Sequence, residues 1–141
     1  MKGHDSTRAP RSPAAADAAL SGFAPPTQAW FRAAFAAPTE AQGLAWPLIR
    51  SGQSALILAP TGSGKTLAAF LATIDRLMFS PAPPREARCR VLYISPLKAL
   101  AVDVERNLRA PLTGVTRSAE RLDYPFHLPQ LSLRTGDTPA R

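Results

Sequence analysis

Residues 59–66 read Ala-Pro-Thr-Gly-Ser-Gly-Lys-Thr. An apolar run, Ala-Leu-Ile-Leu, precedes this stretch, and a long amphipathic segment follows it. Strand, glycine-rich turn and helix, in that order, form the setting in which a phosphate-binding loop works. Gly62 and Gly64 allow successive backbone N–H groups to point into one concavity, and the helix start adds unpaired N–H groups and the positive end of its dipole. The sequence therefore predicts a nucleotide site at residues 59–66.

The individual roles in this loop follow from reach and chemistry. Lys65 is placed to contact the β- and γ-phosphates, and the hydroxyl of Thr66 is placed to ligate Mg²⁺. Ala59 stands where the strict pattern has a glycine. We assign catalytic roles to Lys65 and Thr66, and the predicted nucleotide-binding residues of the loop are Thr61, Gly62, Ser63, Gly64, Lys65 and Thr66.

The hydrophobic pattern predicts an α/β fold. One helical face over 65–79 contains apolar residues at the spacing of an amphipathic helix, and further helices are expected at 27–36, 39–50 and 97–110. Predicted strands are Ser54–Ala59, Arg90–Ser95 and Leu131–Arg134, and residues 110–130 are read as a loop. Alternating strands and helices imply a doubly wound parallel sheet. Three strands make a small sheet, so we expect an incomplete domain.

Two domain-level expectations follow from composition. Residues 1–24 are rich in Ala, Pro, Ser and charge without clear periodicity, and are predicted to be a disordered arm. Residues 25–141 are predicted to be the N-terminal part of one nucleotide-binding domain. Because the chain stops where another helix should begin, we expect a truncated protein.

Net charge, cysteine content and the length of apolar runs narrow the class of protein only slightly. The net charge is +7, with 17 basic and 10 acidic residues, which fits nucleic-acid contact and fits an arginine-rich proteome equally well. Cys89 is the only cysteine, which suits a reducing compartment. No apolar run reaches the length that a membrane helix needs. We therefore predict a cytoplasmic protein without membrane contact.

Thr39 and Gln42 have the spacing of a helix capping box, in which the threonine is the N-cap and the glutamine reaches back to it. A second role is compatible with the first. A carboxamide offers one donor and one acceptor, which match N6 and N7 of adenine. Gln42 is therefore a candidate both for the helix cap and for base recognition.

Two further segments are candidates for nucleic-acid contact because each follows a predicted strand. In an open α/β sheet, ligands bind outside the carboxyl ends of the strands. Helix N-termini, small residues and a nearby lysine suit a phosphodiester. An ordinary strand–helix turn with a solvated lysine or an N-cap explains the same residues. The candidates are Pro96, Leu97, Lys98 and Ala99 after the second strand, and Thr135, Gly136 and Asp137 after the third.

Taken in order, these pieces resemble the start of the first motor domain of superfamily 2 helicases. The segments 35–42, 59–66, 96–100 and 135–137 are similar to the Q motif and motifs I, Ia and Ib. Residues 45–47, 59–75 and 95–103 resemble the large helicase-related (Lhr) family of DEAD/DEAH-box helicases. The resemblance implies a RecA-like ATP-binding domain of an ATP-driven motor that binds single-stranded DNA or a DNA or RNA duplex and acts in DNA repair.

By position, the resemblance implies that Gln42 contacts the adenine of ATP, Lys65 contacts its phosphates and Thr66 ligates the Mg²⁺. It implies that residues 96–99 and 135–137 lie along the backbone of one nucleic-acid strand. It also implies an aromatic side chain stacked on the base of ATP, for which the candidates are Phe23, Trp30 and Phe35. No Asp-Glu dipeptide occurs in the chain, so the acidic motif that positions metal and water in such enzymes is absent, and the chain alone is expected to be inactive. A non-catalytic nucleotide-binding module and a small-molecule kinase remain the alternatives.

Overall fold

The structure, a computed structural model, describes residues 13–139; predictions about residues 1–12, 140 and 141 lie outside it. Its five α-helices are α1 (Pro13–Leu20), α2 (Pro25–Ala34), α3 (Glu40–Arg50), α4 (Lys65–Phe79) and α5 (Lys98–Arg121). A short 3-10 turn lies at Arg85–Ala87. None of these helices has both the length and the apolar composition needed to cross a membrane.

Helix α4 occupies the centre because its buried face contacts two groups of apolar side chains. At one end, Leu71 and Ala72 pack with Phe31 of α2 and Trp46 of α3. At the other end, Ile74 and Met78 pack with apolar residues of α5, namely Leu108, Leu112 and Val115. The start and extent of α4 agree with the prediction from its apolar spacing.

Helix α3 is tied to the first turn of α4. The indole Nε1–H of Trp46, which is fully buried, donates to the carbonyl of Leu67 at 3.3 Å. Thr39 is the N-cap of α3, and the predicted capping box with Gln42 is confirmed. The helix that follows the phosphate-binding loop is thereby anchored at its loop end.

The N-terminal arm is the first point at which structure and prediction differ. Pro13–Leu20 forms α1, which packs against α3. Leu20 and Phe23 belong to the core and are 2% and 4% exposed. The prediction of disorder is therefore wrong for residues 13–24, because two apolar side chains in an alanine-rich segment suffice to dock it.

The second difference is the length of α5. The sequence predicted that this helix ends before Pro111 and that residues 110–130 form a loop, but the helix continues to Arg121 with Pro111 inside it. An internal proline costs about 3 kcal/mol. The apolar face that continues beyond it offsets this cost, since Leu112, Val115 and Ala119 are all buried.

The third difference concerns the sheet. Residues 54–59, 90–95 and 131–134 belong to no helix, and no strand ladder forms anywhere in the described chain. The side chains predicted to be buried on strands are exposed, including Leu56, Leu58, Leu92 and Ile94 at about 80% each. A strand needs a hydrogen-bonded neighbour, and these segments make no backbone hydrogen bond to one another within residues 13–139, so the predicted parallel sheet is not seen there.

Candidate nucleotide-binding loop and strand-contact segments

The loop at residues 59–66 has the conformation that its glycines predict. Gly62 and Gly64 both have φ of 80°, a left-handed conformation that side chains disfavour. Ser63 is 1% exposed, and its hydroxyl and its N–H both donate to the carbonyl of Pro60, at 2.7 and 3.3 Å. The loop therefore closes on an internal turn and leads directly into α4.

This turn leaves backbone donors available. The N–H groups of Gly62, Gly64 and Lys65 donate to no acceptor within residues 13–139. They stand at the N-terminus of a 15-residue helix, where the helix dipole adds a positive partial charge. Unpaired N–H groups in a concave loop are the donors that a phosphate group requires. The residues present thus fit a nucleotide phosphate.

Lys65 and Thr66 lie at the first two positions of α4, as predicted. The Lys65 ammonium donates to the carbonyls of Ala59 and Pro60, the latter at 2.7 Å. It is folded back over the loop and must turn outward to meet a phosphate. The Thr66 side chain is half-buried, and its hydroxyl is bonded to no group in the described chain, which leaves it free to ligate a metal ion.

Gln42 is 4% exposed and connects the start of α3 to the loop. Its Oε1 accepts from the N–H of Thr39 at 3.0 Å, and its Nε2 donates to the carbonyl of Gly64 at 3.3 Å. The Thr39 hydroxyl donates in turn to the carbonyl of Ser63 at 3.1 Å. Both polar ends of the carboxamide therefore have partners within the chain. A carboxamide oxygen can accept a second hydrogen bond and its nitrogen can donate a second one.

The three aromatic candidates occupy different environments. Phe23 is buried beneath the guanidinium of Arg50, 5.1 Å from its ring centroid. Trp30 of α2 packs against α5, with its indole edge directly against Gly114. Phe35 is 44% exposed and contacts both Phe31 and Trp30. Of the three, Phe35 is the most exposed.

One ion pair joins the two segments that are candidates for nucleic-acid contact, residues 96–99 and 135–137. Lys98 is the first residue of α5, after its N-cap Leu97, and its ammonium pairs with the carboxylate of Asp137. The turn at residues 135–138 is closed by a bond from the Thr138 N–H to the Thr135 carbonyl at 2.9 Å. All seven candidates lie at or near the surface, where a phosphodiester backbone could reach them.

Sequence reasoning missed one buried carboxylate. Asp75, on α4, is 7% exposed. It accepts from the Ala24 N–H at 3.0 Å and lies 3.5 Å from the guanidinium of Arg50. The signal was present in the sequence, because residue 75 falls on the same helical face as Leu71 and Met78.

Burial raises the pKa of the Asp75 carboxyl above its ordinary value of 3.8. The Thr27 hydroxyl, the Ala24 N–H and Arg50 act in the opposite direction. The Thr27 hydroxyl nevertheless makes no hydrogen bond of normal geometry. The site joins the segment after α1 to α3 and α4, so its role is in holding the domain together.

Known proteins resemble the chain along most of its length. Residues 39–124 match the DEAD/DEAH box helicase family. The Lhr helicase of Mycolicibacterium smegmatis is 58% identical over 120 residues, which are 85% of this chain and 8% of that protein. The Lhr helicase/uracil glycosylase of Escherichia coli is 46% identical over 124 residues, 84% of this chain and 8% of that protein.

A solved structure is also similar. Mycobacterium smegmatis helicase Lhr bound to ssDNA and AMP-PNP has a TM-score of 0.74 and 56% identity, covering 86% of this chain and 15% of that one. The chain thus spans less than a tenth of the length of the first two relatives.

These likenesses define the class of protein. The chain belongs to the DEAD/DEAH box helicase family, and over most of its length it is similar to Lhr helicases in particular. Membership implies the RecA-like phosphate-loop fold, of which the described residues form the helices and the loop but not the sheet.

Proposed function

We propose that this chain is the ATP-binding and nucleic-acid-binding part of an ATP-dependent DNA helicase or translocase. Residues 25–141 belong to the N-terminal part of its first ATP-binding domain, and α1 packs onto that domain. The observation that carries the proposal is the loop at residues 62–65, whose N–H groups have no internal acceptor. The contact of Gln42 with that loop supports a site that recognises both phosphate and base.

Each residue has a distinct part in this site. The loop N–H groups hold the phosphates, and Lys65 leaves the carbonyls of Ala59 and Pro60 to contact them. The Thr66 hydroxyl ligates the metal, while Gln42 contacts adenine with its remaining donor and acceptor positions. Bound Mg·ATP supplies the phosphoryl group that is transferred to water. Phe35 is proposed to cover the base, and its exposure, the highest among the three aromatic candidates, supports this.

The nucleic-acid strand is proposed to run along residues 96–99 and 135–137. The ion pair between Lys98 and Asp137 supports this, because it brings both segments to one surface. The relative bound to ssDNA supports a single strand as the ligand. A role in DNA repair is supported by the E. coli relative, whose description joins a helicase with a uracil glycosylase. A cytoplasmic location rests on the single, exposed cysteine.

Nucleotide binding tests the proposal in the chain itself. A fluorescent ATP analogue should bind the full chain in the presence of Mg²⁺, and Lys65→Ala should weaken this binding at least tenfold. Lys98→Ala is the matched control, since it removes the same charge at the first position of another helix. Equal binding by wild type and Lys65→Ala would refute the nucleotide site.

Hydrolysis needs the rest of a helicase. In a chimera, this chain replaces the matching 120 residues of the M. smegmatis relative. DNA-stimulated phosphate release should fall by orders of magnitude with Lys65→Ala, because positioning of the phosphates carries most of the catalysis. The chain alone should release no phosphate above background. A turnover on the order of 1 s⁻¹ by the chain alone, lost in Lys65→Ala, would contradict the need for further motifs.

A further inference from the structure

The ion pair between Lys98 and Asp137 joins residues 39 positions apart. Lys98 begins α5, and Asp137 lies in the turn at residues 135–138. The side chains are 61% and 76% exposed. No other ion pair in the described part of the chain involves either residue. Each charge is therefore the specific counterion of the other.

The turn that carries Asp137 is organised before any ligand arrives. The Thr135 N–H donates to the Thr138 hydroxyl at 2.9 Å, and the Asp137 N–H donates to the Thr135 hydroxyl at 3.4 Å. Arg134, the nearest cation along the chain, donates instead to the carbonyl of Pro139 at 3.3 Å. These bonds order the turn from which the Asp137 carboxylate reaches Lys98 at the start of α5.

A carboxylate at this position is unsuited to contact a phosphodiester, because both are anions. The carboxylate instead forms an ion pair with the Lys98 ammonium, the group that a phosphodiester would contact. An ion pair this exposed is weak, because water and salt screen it and two flexible side chains must be ordered. It can therefore be exchanged for a phosphate contact without a large barrier.

We infer that Asp137 is a built-in competitor for Lys98: it holds the ammonium in the free protein, and the backbone phosphate of a single strand displaces it. This inference rests on the proposed function and changes one of its parts. Lys98 contacts the strand, and Asp137 lowers the affinity of the strand for the protein. In a motor that must release and rebind its track, such a competitor keeps the individual phosphate contact weak.

The test is the affinity of the full chain for a fluorescein-labelled oligo-dT strand, measured by anisotropy at low ionic strength. Asp137→Asn should tighten binding about threefold to tenfold, since it frees the Lys98 ammonium for the phosphate. The gain should shrink as salt is raised to physiological levels, because charges at the surface are then screened. Lys98→Ala should weaken binding.

The double variant separates a specific competitor from a general charge effect. In the Lys98→Ala background, Asp137→Asn should change the affinity less than twofold. Asp103→Asn is the matched control, since Asp103 is an exposed acid on α5 that lacks an ion pair in residues 13–139. It should also change the affinity less than twofold. Helical circular dichroism should be the same for all variants.

Three results would overturn the inference. Weaker binding by Asp137→Asn would make Asp137 a direct contact to the strand, and unchanged binding would leave the pair without effect. An equal gain in the presence and absence of Lys98 would reduce the effect to net charge. A failure of the proposed nucleic-acid contact itself can be told apart from these results, because Lys98→Ala would then bind the oligonucleotide as tightly as wild type does.

Discussion

The side-chain amide of Gln42 donates to the carbonyl of Gly64, the residue that begins the loop-to-helix transition, at 3.3 Å. The two residues are 22 positions apart. Gln42 also completes the capping box of α3 with Thr39. One buried carboxamide thus stabilises a helix start and contacts the phosphate-binding loop, so substitutions at residue 42 should affect both.

Gln42→Ala should lower the free energy of unfolding by about 1–2 kcal/mol, since it removes a cap and leaves buried groups unpaired. Gln42→Glu keeps the acceptor for the Thr39 N–H but loses the donor to Gly64. Chemical denaturation of both variants separates the cap from the loop contact. Equal stability of Gln42→Glu and wild type would mean that the Gly64 contact contributes nothing.

The same variants test base choice. Guanine carries an acceptor where adenine carries its N6 donor, so losing the Gln42 contact should reduce the preference for ATP over GTP by about 1–3 kcal/mol. Competition of unlabelled ATP and GTP against a fluorescent nucleotide measures this preference. If it is the same in wild type and Gln42→Ala, Gln42 is a structural residue alone.

The two loop glycines differ in their surroundings, although both have φ of 80°. A Cβ at Gly64 would lie 2.4 Å from Nε2 of Gln42, whereas a Cβ at Gly62 would meet nothing within 4 Å. Gly62→Ala should therefore cost about 1–2 kcal/mol of stability from backbone strain, and Gly64→Ala should cost more. Gly136→Ala is the neutral control, because it has neither a positive φ nor a close neighbour.

A double variant identifies the source of the larger effect. Gly64→Ala should destabilise less in the Gln42→Ala background, since the atom that the new methyl group meets is gone. Additive losses of unfolding free energy would show that the contact with Gln42 does not cause the larger effect at Gly64.

Gly114 allows Trp30 of α2 to lie against α5, since a Cβ there would be 2.0 Å from the indole Nε1. Gly114→Ala gains about 1 kcal/mol of helix propensity but forces the indole away, at about 1–3 kcal/mol for overpacking. We expect net destabilisation. Gly43→Ala in α3 is the matched control, because its Cβ would make an ordinary contact of 3.9 Å. It should stabilise the chain, and the same sign at both positions would contradict the close approach of Trp30.

Asp75 should give stability a pH dependence of unusual sign. Burial raises the pKa of its carboxyl above the ordinary 3.8, so the folded state binds more protons than the unfolded state between these two values. The free energy of unfolding should therefore fall as the pH rises from 3.8 through the folded pKa, and then level off.

Asp75→Asn isolates this effect, because the amide keeps an acceptor for the Ala24 N–H but cannot ionise. The difference in unfolding free energy between wild type and Asp75→Asn should change across this pH window. Asp103→Asn, which replaces an exposed acid on α5, is the matched control. A constant difference for Asp75→Asn would refute the raised pKa.

The sequence by itself determined the local chemistry of the candidate site. The glycine pattern at residues 59–66, the capping box of Thr39 with Gln42 and the extent of α4 depend on residues within a few positions of one another. Such features can be read from spacing because backbone conformation and helix caps are local properties.

Only the tertiary structure decided what requires a distant partner. Burial of Leu20 and Phe23 docks the segment expected to be disordered, and packing beyond Pro111 extends α5 across a proline. The contacts of Gln42 with Gly64, Asp75 with Arg50 and Lys98 with Asp137 join residues 22 to 39 positions apart. The three predicted strands have the required residue types but make no backbone hydrogen bonds to one another in residues 13–139. Strand propensity is satisfied only by hydrogen bonds to another segment, so no local pattern could decide whether the sheet forms.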